Sequence, residues 1–347
     1  MSYSAADRLL HHIALGLPAL QKSLAEIEDS VFARALDAEP VAAPVFLTGL
    51  PRSGTTVLLE LLAQQPAFVT HTYRQMPFVM APLLWERLAG NLRKADERRE
   101  RAHGDGVEVG FDSPEAFEEI LWQAFFPDHY KSDRIVLWRA TDSAAGFTDF
   151  FRAHMRKLRH LGGGGRYLSK NNANIARLPL LARLFADAVF VIPFRNPADH
   201  IGSLMAQHRH FTKIHKSDPF ALQYMKWLGH YEFGAALKPI AFGGPAAGPP
   251  EGEGQADFWL RYWIAAYRHV LDTAPEGAVI IDYDRLCREP EAVLGTLADR
   301  LGLAPAALKD WATRFRPGRV YDRGAAGAAL WAEADALHAT LRDRAAA

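Results

Sequence analysis

Cysteine is almost absent: the 347 residues contain one, Cys287. A single cysteine forms neither an intramolecular disulfide nor a thiolate metal cluster, and its surroundings read as a small apolar filler on a helix beginning near Arg285. A reducing compartment fits such a chain. An excess of one charge is lacking as well. Lysine plus arginine number 40 and aspartate plus glutamate also 40, so nothing global draws the chain to nucleic acid or an anionic membrane. No window approaches the roughly 18 consecutive apolar residues of a spanning helix. Asp7, Arg8, His11 and His12 break up the N-terminal stretch, which does not read as a signal peptide. No metal-ligand spacing appears, so no metal is predicted. A soluble, cytoplasmic protein is expected, and any anion site must come from locally concentrated arginine and backbone amides.

What is present is a large apolar fraction, 49%, enough for one large α/β core without staples. Three short apolar runs read as buried strands: Pro44 to Thr48, Ala188 to Pro193 and Ala278 to Asp282. Each adjoins a helical pattern, at Val57 to Ala63, Pro179 to Phe185 and Pro290 to Leu301. Strands without polar alternation, interleaved with helices, predict a three-layer α/β fold with a parallel sheet covered on both faces. One domain is expected over residues 41–325, with a helical insertion at about 70–160 and an exposed glycine- and proline-rich loop at about 243–254. Residues 1–40 predict amphipathic helices packed on the core, with Leu9, Leu10, Ile13 and Leu17 on one face; residues 326–347 predict a C-terminal helix or tail. A mixed-charge run, Arg93 to Arg101, punctuates the insertion.

The first strand leads into Gly49-Leu-Pro-Arg52-Ser53-Gly54-Thr55-Thr56 and then a helix. Two glycines allow a tight loop with inward amides, the helix N-terminus adds partial positive charge, and the hydroxyls of Ser53, Thr55 and Thr56 add donors. The loop is almost a Walker A motif, G-x-x-x-x-G-K-[ST], but Thr55 occupies the lysine position and the cation, Arg52, lies on the other side of the glycine. Loss of that lysine argues against nucleotide hydrolysis or a P-loop kinase. After the second strand comes Arg195-Asn196-Pro197-Ala198-Asp199, and Pro197 starts a helix whose turns bring Ser203 back beside Arg195. Guanidinium and hydroxyl together suit a dianionic phosphate.

These two elements resemble the sulfotransferases that use 3′-phosphoadenosine-5′-phosphosulfate (PAPS), in a bacterial-type branch. In that family P-[RK]-S-G-T-T follows the first strand, and R-[ND]-P-x-[DE] is followed by a serine eight residues past the arginine. The resemblance implies a P-loop-like fold and PAPS as co-substrate. It implies that Arg52, Ser53, Gly54, Thr55 and Thr56 hold the 5′-phosphosulfate, and that Arg195 and Ser203 hold the 3′-phosphate. Lys170, after a strand-like Arg166-Tyr-Leu-Ser, would support the leaving group. Where some relatives stack an aromatic residue on adenine, this chain has Val57, and where the cytosolic branch has a histidine base, it has Asn172. Ala278 to Leu303 resembles the family's late strand and helix, with Tyr283 and Asp284 expected to organise the core. The stretch Arg314 to Arg323 reads either as a loop closing over the nucleotide or as a solvated charged turn.

The proton acceptor is not spelled out. A glutamate expected about 19 residues after the loop glycine is replaced by Tyr73; His71, two residues away, is the first candidate base, and Glu115, Glu118 and Glu119 are rivals. Those three glutamates also read as the acidic first turn of a helix capped by Ser113. His208 and Arg209 are candidates for the acceptor pocket. Aromatics of the insertion, among them Trp85, Phe111, Trp122, Phe125, Phe126 and Trp138, suit either that pocket or the core. The acceptor class stays open among small molecules, lipids and glycans. A P-loop kinase or NTPase-like enzyme, and a non-catalytic nucleotide-binding module, are the alternatives.

Overall fold

Apolar runs with no polar alternation must be covered on both faces, and the computed structural model, which describes residues 5–89, 99–100, 108–109, 112–243, 248–249, 255–304 and 306–345, buries them in that way. The strands are β1 (Val45–Leu47), β2 (Phe68–Val69), β3 (Arg99–Glu100), β4 (Glu108–Val109), β5 (Arg166–Lys170), β6 (Val189–Phe194) and β7 (Val279–Asp282). Five of them form one parallel sheet in the order β2-β5-β1-β6-β7, and β3 and β4 form a separate antiparallel pair. The predicted α/β sheet is therefore present, with its strands within one residue of the apolar runs. The mixed-charge run and the loop predicted at about 243–254 lie largely outside the described residues.

The helices are α1 (Ala5–Gly16), α2 (Pro18–Leu36), α3 (Thr55–Ala63), α4 (Pro82–Ala89), α5 (Glu119–Phe125), α6 (Phe147–Leu161), α7 (Leu178–Leu184), α8 (Pro197–Ser217), α9 (Pro219–Leu228), α10 (Gln255–Thr273), α11 (Tyr283–Arg288), α12 (Pro290–Leu301) and α13 (Ala328–Arg344). Alternation along β1 sorts the two layers. Phe46 joins Phe190, Ile192 and Phe194 in a core roofed by α6, α7, α8, α10 and α13, whereas Val45 and Leu47 join Val191 and Ile281 against α3 and α12. Cys287 is buried on α11, as an apolar filler would be.

Two buried polar clusters stiffen the insertion. Glu118 accepts from Trp122 Nε1 (2.9 Å), Asn174 (2.9 Å) and the Tyr167 hydroxyl (2.8 Å). Glu119 accepts from Asn171 (2.7 Å) and Arg177 (2.8 Å), and the Arg177 guanidinium lies between the rings of Trp122 (4.3 Å) and Trp138 (4.1 Å). The second cluster pairs His71 with His154, Nε2 to Nε2 at 2.8 Å with stacked rings. Burial pushes the His71 pKa down to about 3, and burial, aided by His71 and Lys157, lowers that of His154 as well.

The structure corrects two local expectations. The helix expected to start at Ser113 begins at Glu119, because Pro114 bridges Thr72, Tyr73 N–H donates to Ser113 O (3.2 Å) and Glu115 N–H to His71 O (3.0 Å), which keeps residues 113–115 extended. The N-terminal apolar face is not all inward. Ala14 and Leu15 are buried, but Leu9 is 62% and Leu17 53% exposed, and α2 docks instead through a buried Lys157 on α6, paired with Asp29 at 2.9 Å and Glu28 at 3.4 Å.

Removing one partner of a buried pair leaves the other charge uncompensated. Arg177→Ala should therefore cost about 3–5 kcal/mol of folding stability, measured by urea denaturation; a loss of only a few tenths would contradict the role given to this pair. The buried histidines set a second test. Their folded pKa values lie below the unfolded one, so their contribution is complete above about pH 6.5 and is lost as pH falls toward the folded value. At about pH 5 the His71 ring should still give the NMR shifts of neutral imidazole; a charged ring at that pH would contradict its burial.

Candidate active site

Parallel pairing brings three strand ends to one place. Leu47 pairs with Lys170 on one side and with Val191 on the other, so the loop after β1, the end of β5 and the end of β6 open at the same edge. The chain crosses from one side of β1 to the other between β5 and β6, and at such a switch point a crevice opens beyond the carboxyl ends of the strands. Here it is a cavity of about 390 Å³.

The loop after β1 is bent by two residues in the left-handed region, Arg52 (φ 70°) and Gly54 (φ 101°). Gly54 caps α3, whose first turn brings Thr55 and Thr56 to the cavity and leaves its amides without partners inside the helix. A side chain at Gly54 would strike the Tyr283 ring, 2.2 Å from the position of a Cβ, so glycine here is both a conformational and a steric requirement. His200 ties the loop to α8. Its Nε2–H donates to Pro51 O (2.9 Å) while Nδ1 accepts from Trp263 Nε1 (3.2 Å), and burial, reinforced by Arg195, lowers its pKa to about 3. The ring is thus a neutral tether.

The second element meets the first directly. Asn196 caps α8, accepting from Ala198 N–H (2.9 Å), and Pro197 starts the helix. Nearly two turns further, the Ser203 hydroxyl accepts from Arg52 Nε (3.1 Å), and Arg195 Nη1 donates to Arg52 O (3.3 Å). Arg195 is 8% exposed, has the Tyr283 ring 5.7 Å from its guanidinium carbon, and its buried Nε has no hydrogen-bond partner among the described residues. Asp284 steadies this corner by accepting from Asn196 N–H (2.6 Å), with a more distant contact to Arg195 Nε at 3.9 Å. The C-terminal segment folds over the same corner. Gly318, Arg319 and Tyr321 line the cavity, Tyr321 N–H donates to Asp199 (2.7 Å), and the Tyr321 side chain packs where a side chain at position 202 would stand, which Gly202 permits.

Of the residues singled out in the sequence, Arg52, Gly54, Thr55, Thr56, Lys170, Arg195 and Ser203 all line this cavity. Ser53 is close by, but its side chain is fully buried and does not reach the lining. The Thr55 hydroxyl donates to Asn172 Oδ1 (3.2 Å), which leaves Thr56 as the hydroxyl on the cavity side. His71 is a correction. It lies in the core against His154, does not line the cavity, and with a pKa near 3 is a very weak base, so it cannot serve the site. Glu118 and Glu119 are equally removed, their carboxylates taken by the buried network, and Glu115 alone of the four candidates reaches the cavity. There it accepts from the Tyr73 hydroxyl (2.7 Å).

Tyr283 packs against the core, as expected, and is also a wall of the cavity. His208 accepts from Gly234 N–H (3.1 Å) and is not in the lining, and Trp122, Phe126 and Trp138 belong to the core; Phe111 lies outside the described residues. Glu60, His230, Glu232 and Phe233 line the cavity unannounced by any motif. Only the helical period of α3 pointed to Glu60, one turn beyond Thr56. Among the described residues no helix is long and apolar enough to cross a membrane.

Comparison with solved structures finds a sulfotransferase, STF9, from Mycobacterium avium, with a TM-score of 0.50 at 15% identity, covering 95% of this chain and 82% of that one. A second, sulfotransferase STF1 from Mycobacterium tuberculosis, gives 0.47 at 16% identity over 95% and 83% of the two chains. At such identity the first likeness speaks for the fold alone. No curated protein matches the sequence. The sequence model of the Sulfotransferase family, however, matches residues 44–238, more than half of the chain, and that span runs from β1 through the loop, Lys170, Arg195 and Ser203. The chain belongs to the sulfotransferase family.

Proposed function

We propose that the protein transfers a sulfuryl group from PAPS to a hydroxyl or amine of a small-molecule, lipid or glycan acceptor. The observation that carries this reading is the Arg195 guanidinium: buried at the end of β6, lining the cavity, joined through Arg52 to Ser203, and with its Nε 3.9 Å from the Asp284 carboxylate and in no hydrogen bond among the described residues. A buried, incompletely satisfied guanidinium is costly unless an anion completes it. A second anion site, the Gly54 loop and the first turn of α3, lies across the same cavity. Two oxyanion sites in one crevice fit a nucleotide phosphorylated at both 3′ and 5′ positions, and the absence of a lysine at Thr55 speaks against a nucleoside triphosphate.

In this reading Gly54, Thr55 and Thr56 hold the 5′-phosphosulfate, Arg195 and Ser203 hold the 3′-phosphate, and Arg52 spans the two. Ser53 supports the loop from below rather than through its hydroxyl. PAPS supplies the activated sulfuryl group. Lys170, at the cavity end of β5, balances charge as the bisphosphate leaves. Tyr321 offers an aromatic face where Val57 offers none, and Arg319 stands 5.0 Å over its ring.

Adenosine 3′,5′-bisphosphate should bind and raise the melting temperature, and ATP with magnesium should not match it. Arg195→Ala should weaken the bisphosphate by roughly tenfold to more than a hundredfold, as expected for a charge-assisted contact, without unfolding the chain. Unchanged affinity by calorimetry would contradict the 3′-phosphate assignment. Lys170→Ala should retain that affinity and lose turnover by about 10²–10³-fold, the scale for removal of one charge-stabilising donor. Equal losses of binding and rate would instead make Lys170 a binding residue.

A further inference from the structure

A second, much smaller cavity of about 30 Å³ adjoins the first and shares three residues with it: Pro51, Asn172 and Glu232. Its remaining wall is largely apolar, from Ile135, Leu237, Ile240, Tyr231, Trp259 and Tyr262, with Lys238 beside them and its ammonium 4.8 Å from the centre of the Tyr231 ring. Room for the centres of about two waters makes it a narrow slot. Trp259 is 1% exposed, and its indole Nε1–H has no hydrogen-bond partner among the described residues. The slot is therefore mostly apolar, with one cation, Lys238, in its wall.

The junction between the cavities has its own chemistry. Asn172 receives the Thr55 hydroxyl on its Oδ1 (3.2 Å) and gives its Nδ2–H to Glu232 Oε1 (3.1 Å). A chain of two hydrogen bonds thus runs from the phosphate-binding turn to the carboxylate at the slot. Of the three shared residues, only Glu232 can take up a proton. Glu115, the other carboxylate in reach of the sequence argument, has both oxygens engaged by donors, the Tyr73 hydroxyl at 2.7 Å and Ala116 N–H at 2.8 Å. Hydrogen bonds to a carboxylate favour its charged form and weaken it as a base.

We propose that this junction is the acceptor port: an alcohol with a short, unbranched apolar chain inserts the chain into the slot, and its hydroxyl meets Glu232. The proposal rests on the sulfuryl-transfer reading above and supplies its substrate class and its proton acceptor. The acceptor O–H bond breaks, and its proton passes to Glu232. The acceptor oxygen forms a bond to sulfur as the bond from sulfur to the bridging phosphate oxygen breaks, and that electron pair departs with the bisphosphate. The products are a sulfate monoester, the 3′,5′-bisphosphate and a protonated Glu232, which returns its proton to water. A protonated alkylamine has no lone pair to offer and would have to lose two protons, so a hydroxyl is the acceptor class. Bulky polar sugars do not fit an apolar slot of this width.

The test uses 1-propanol and N-acetylglucosamine as probe acceptors with radiolabelled PAPS, and measures bisphosphate affinity of each protein by calorimetry. Propanol should be sulfated with a kcat/KM more than about tenfold above that of the sugar. Leu237→Trp, and independently Ile240→Phe, should narrow the slot and raise the propanol KM by about tenfold or more. Glu232→Gln should lower kcat by about 10²–10⁴-fold with KM and bisphosphate affinity unchanged, and should do so more strongly than Glu115→Gln. Retained bisphosphate affinity certifies that each variant is folded. Normal bisphosphate affinity combined with a preference for the sugar, no transfer to propanol, or full activity in Glu232→Gln overturns the port. Failure of the wild type to bind bisphosphate overturns the donor reading, and the port with it.

Discussion

The site depends on one buried guanidinium. Arg195 sits at the end of a strand whose interior side chains are entirely apolar, with little access to water. Its charge must be met locally, and the surrounding sequence does so only in part. Asp284 approaches at 3.9 Å, the Arg52 carbonyl takes one donor at 3.3 Å, and the Tyr283 ring offers its face. What is left over points toward an anion. Much of the neighbourhood follows from that need. Arg52 adopts a left-handed backbone that presents its carbonyl to Arg195 and its side chain to Ser203, and the neutral His200 holds the same loop without adding a competing charge.

The loops at the switch point can be precise because what lies under them is rigid. Glu119 is bound to Arg177 between two tryptophans, and its other oxygen accepts from Asn171, between Lys170 and Asn172. The buried network thus ends at the two residues that face the cavity after β5. A catalytic group is only as well placed as the side chains that fix its backbone, and here that support comes from the helical insertion, which otherwise contributes to the cavity chiefly through Glu115.

How much was legible follows from how local each feature is. The loop after β1 and the Arg195 element are contiguous motifs whose chemistry is written in neighbouring residues, and all but Ser53 of the residues they nominated line one cavity. The strands were legible because runs such as Val-Phe-Leu have no polar face. The base was not. His71 has the right unperturbed pKa, but its environment is set by His154, 83 residues later, and by burial that no local pattern announces. The place of Tyr283 in the cavity wall was not legible either, because its closeness to Gly54 arises only when β7 reaches the sheet edge. Glu232 lies in a segment with neither motif nor periodicity, and acquires meaning only through Asn172 and the two cavities it divides. The exposed Leu9 and Leu17 show the reverse case, a face that the periodicity marked as inward and the packing left outside.

The two histidines nearest the argument, His71 and His200, are held neutral by burial. One serves the core and the other the loop. The central claim is that one crevice holds both phosphates of a 3′,5′-bisphosphorylated nucleotide, and a crystal structure of the protein soaked with adenosine 3′,5′-bisphosphate tests it most directly. The account predicts the 5′-phosphate on the amides after Gly54 and the 3′-phosphate within hydrogen-bonding distance of Arg195 and Ser203. A nucleotide bound elsewhere, or bound with no phosphate on Arg195, would contradict it.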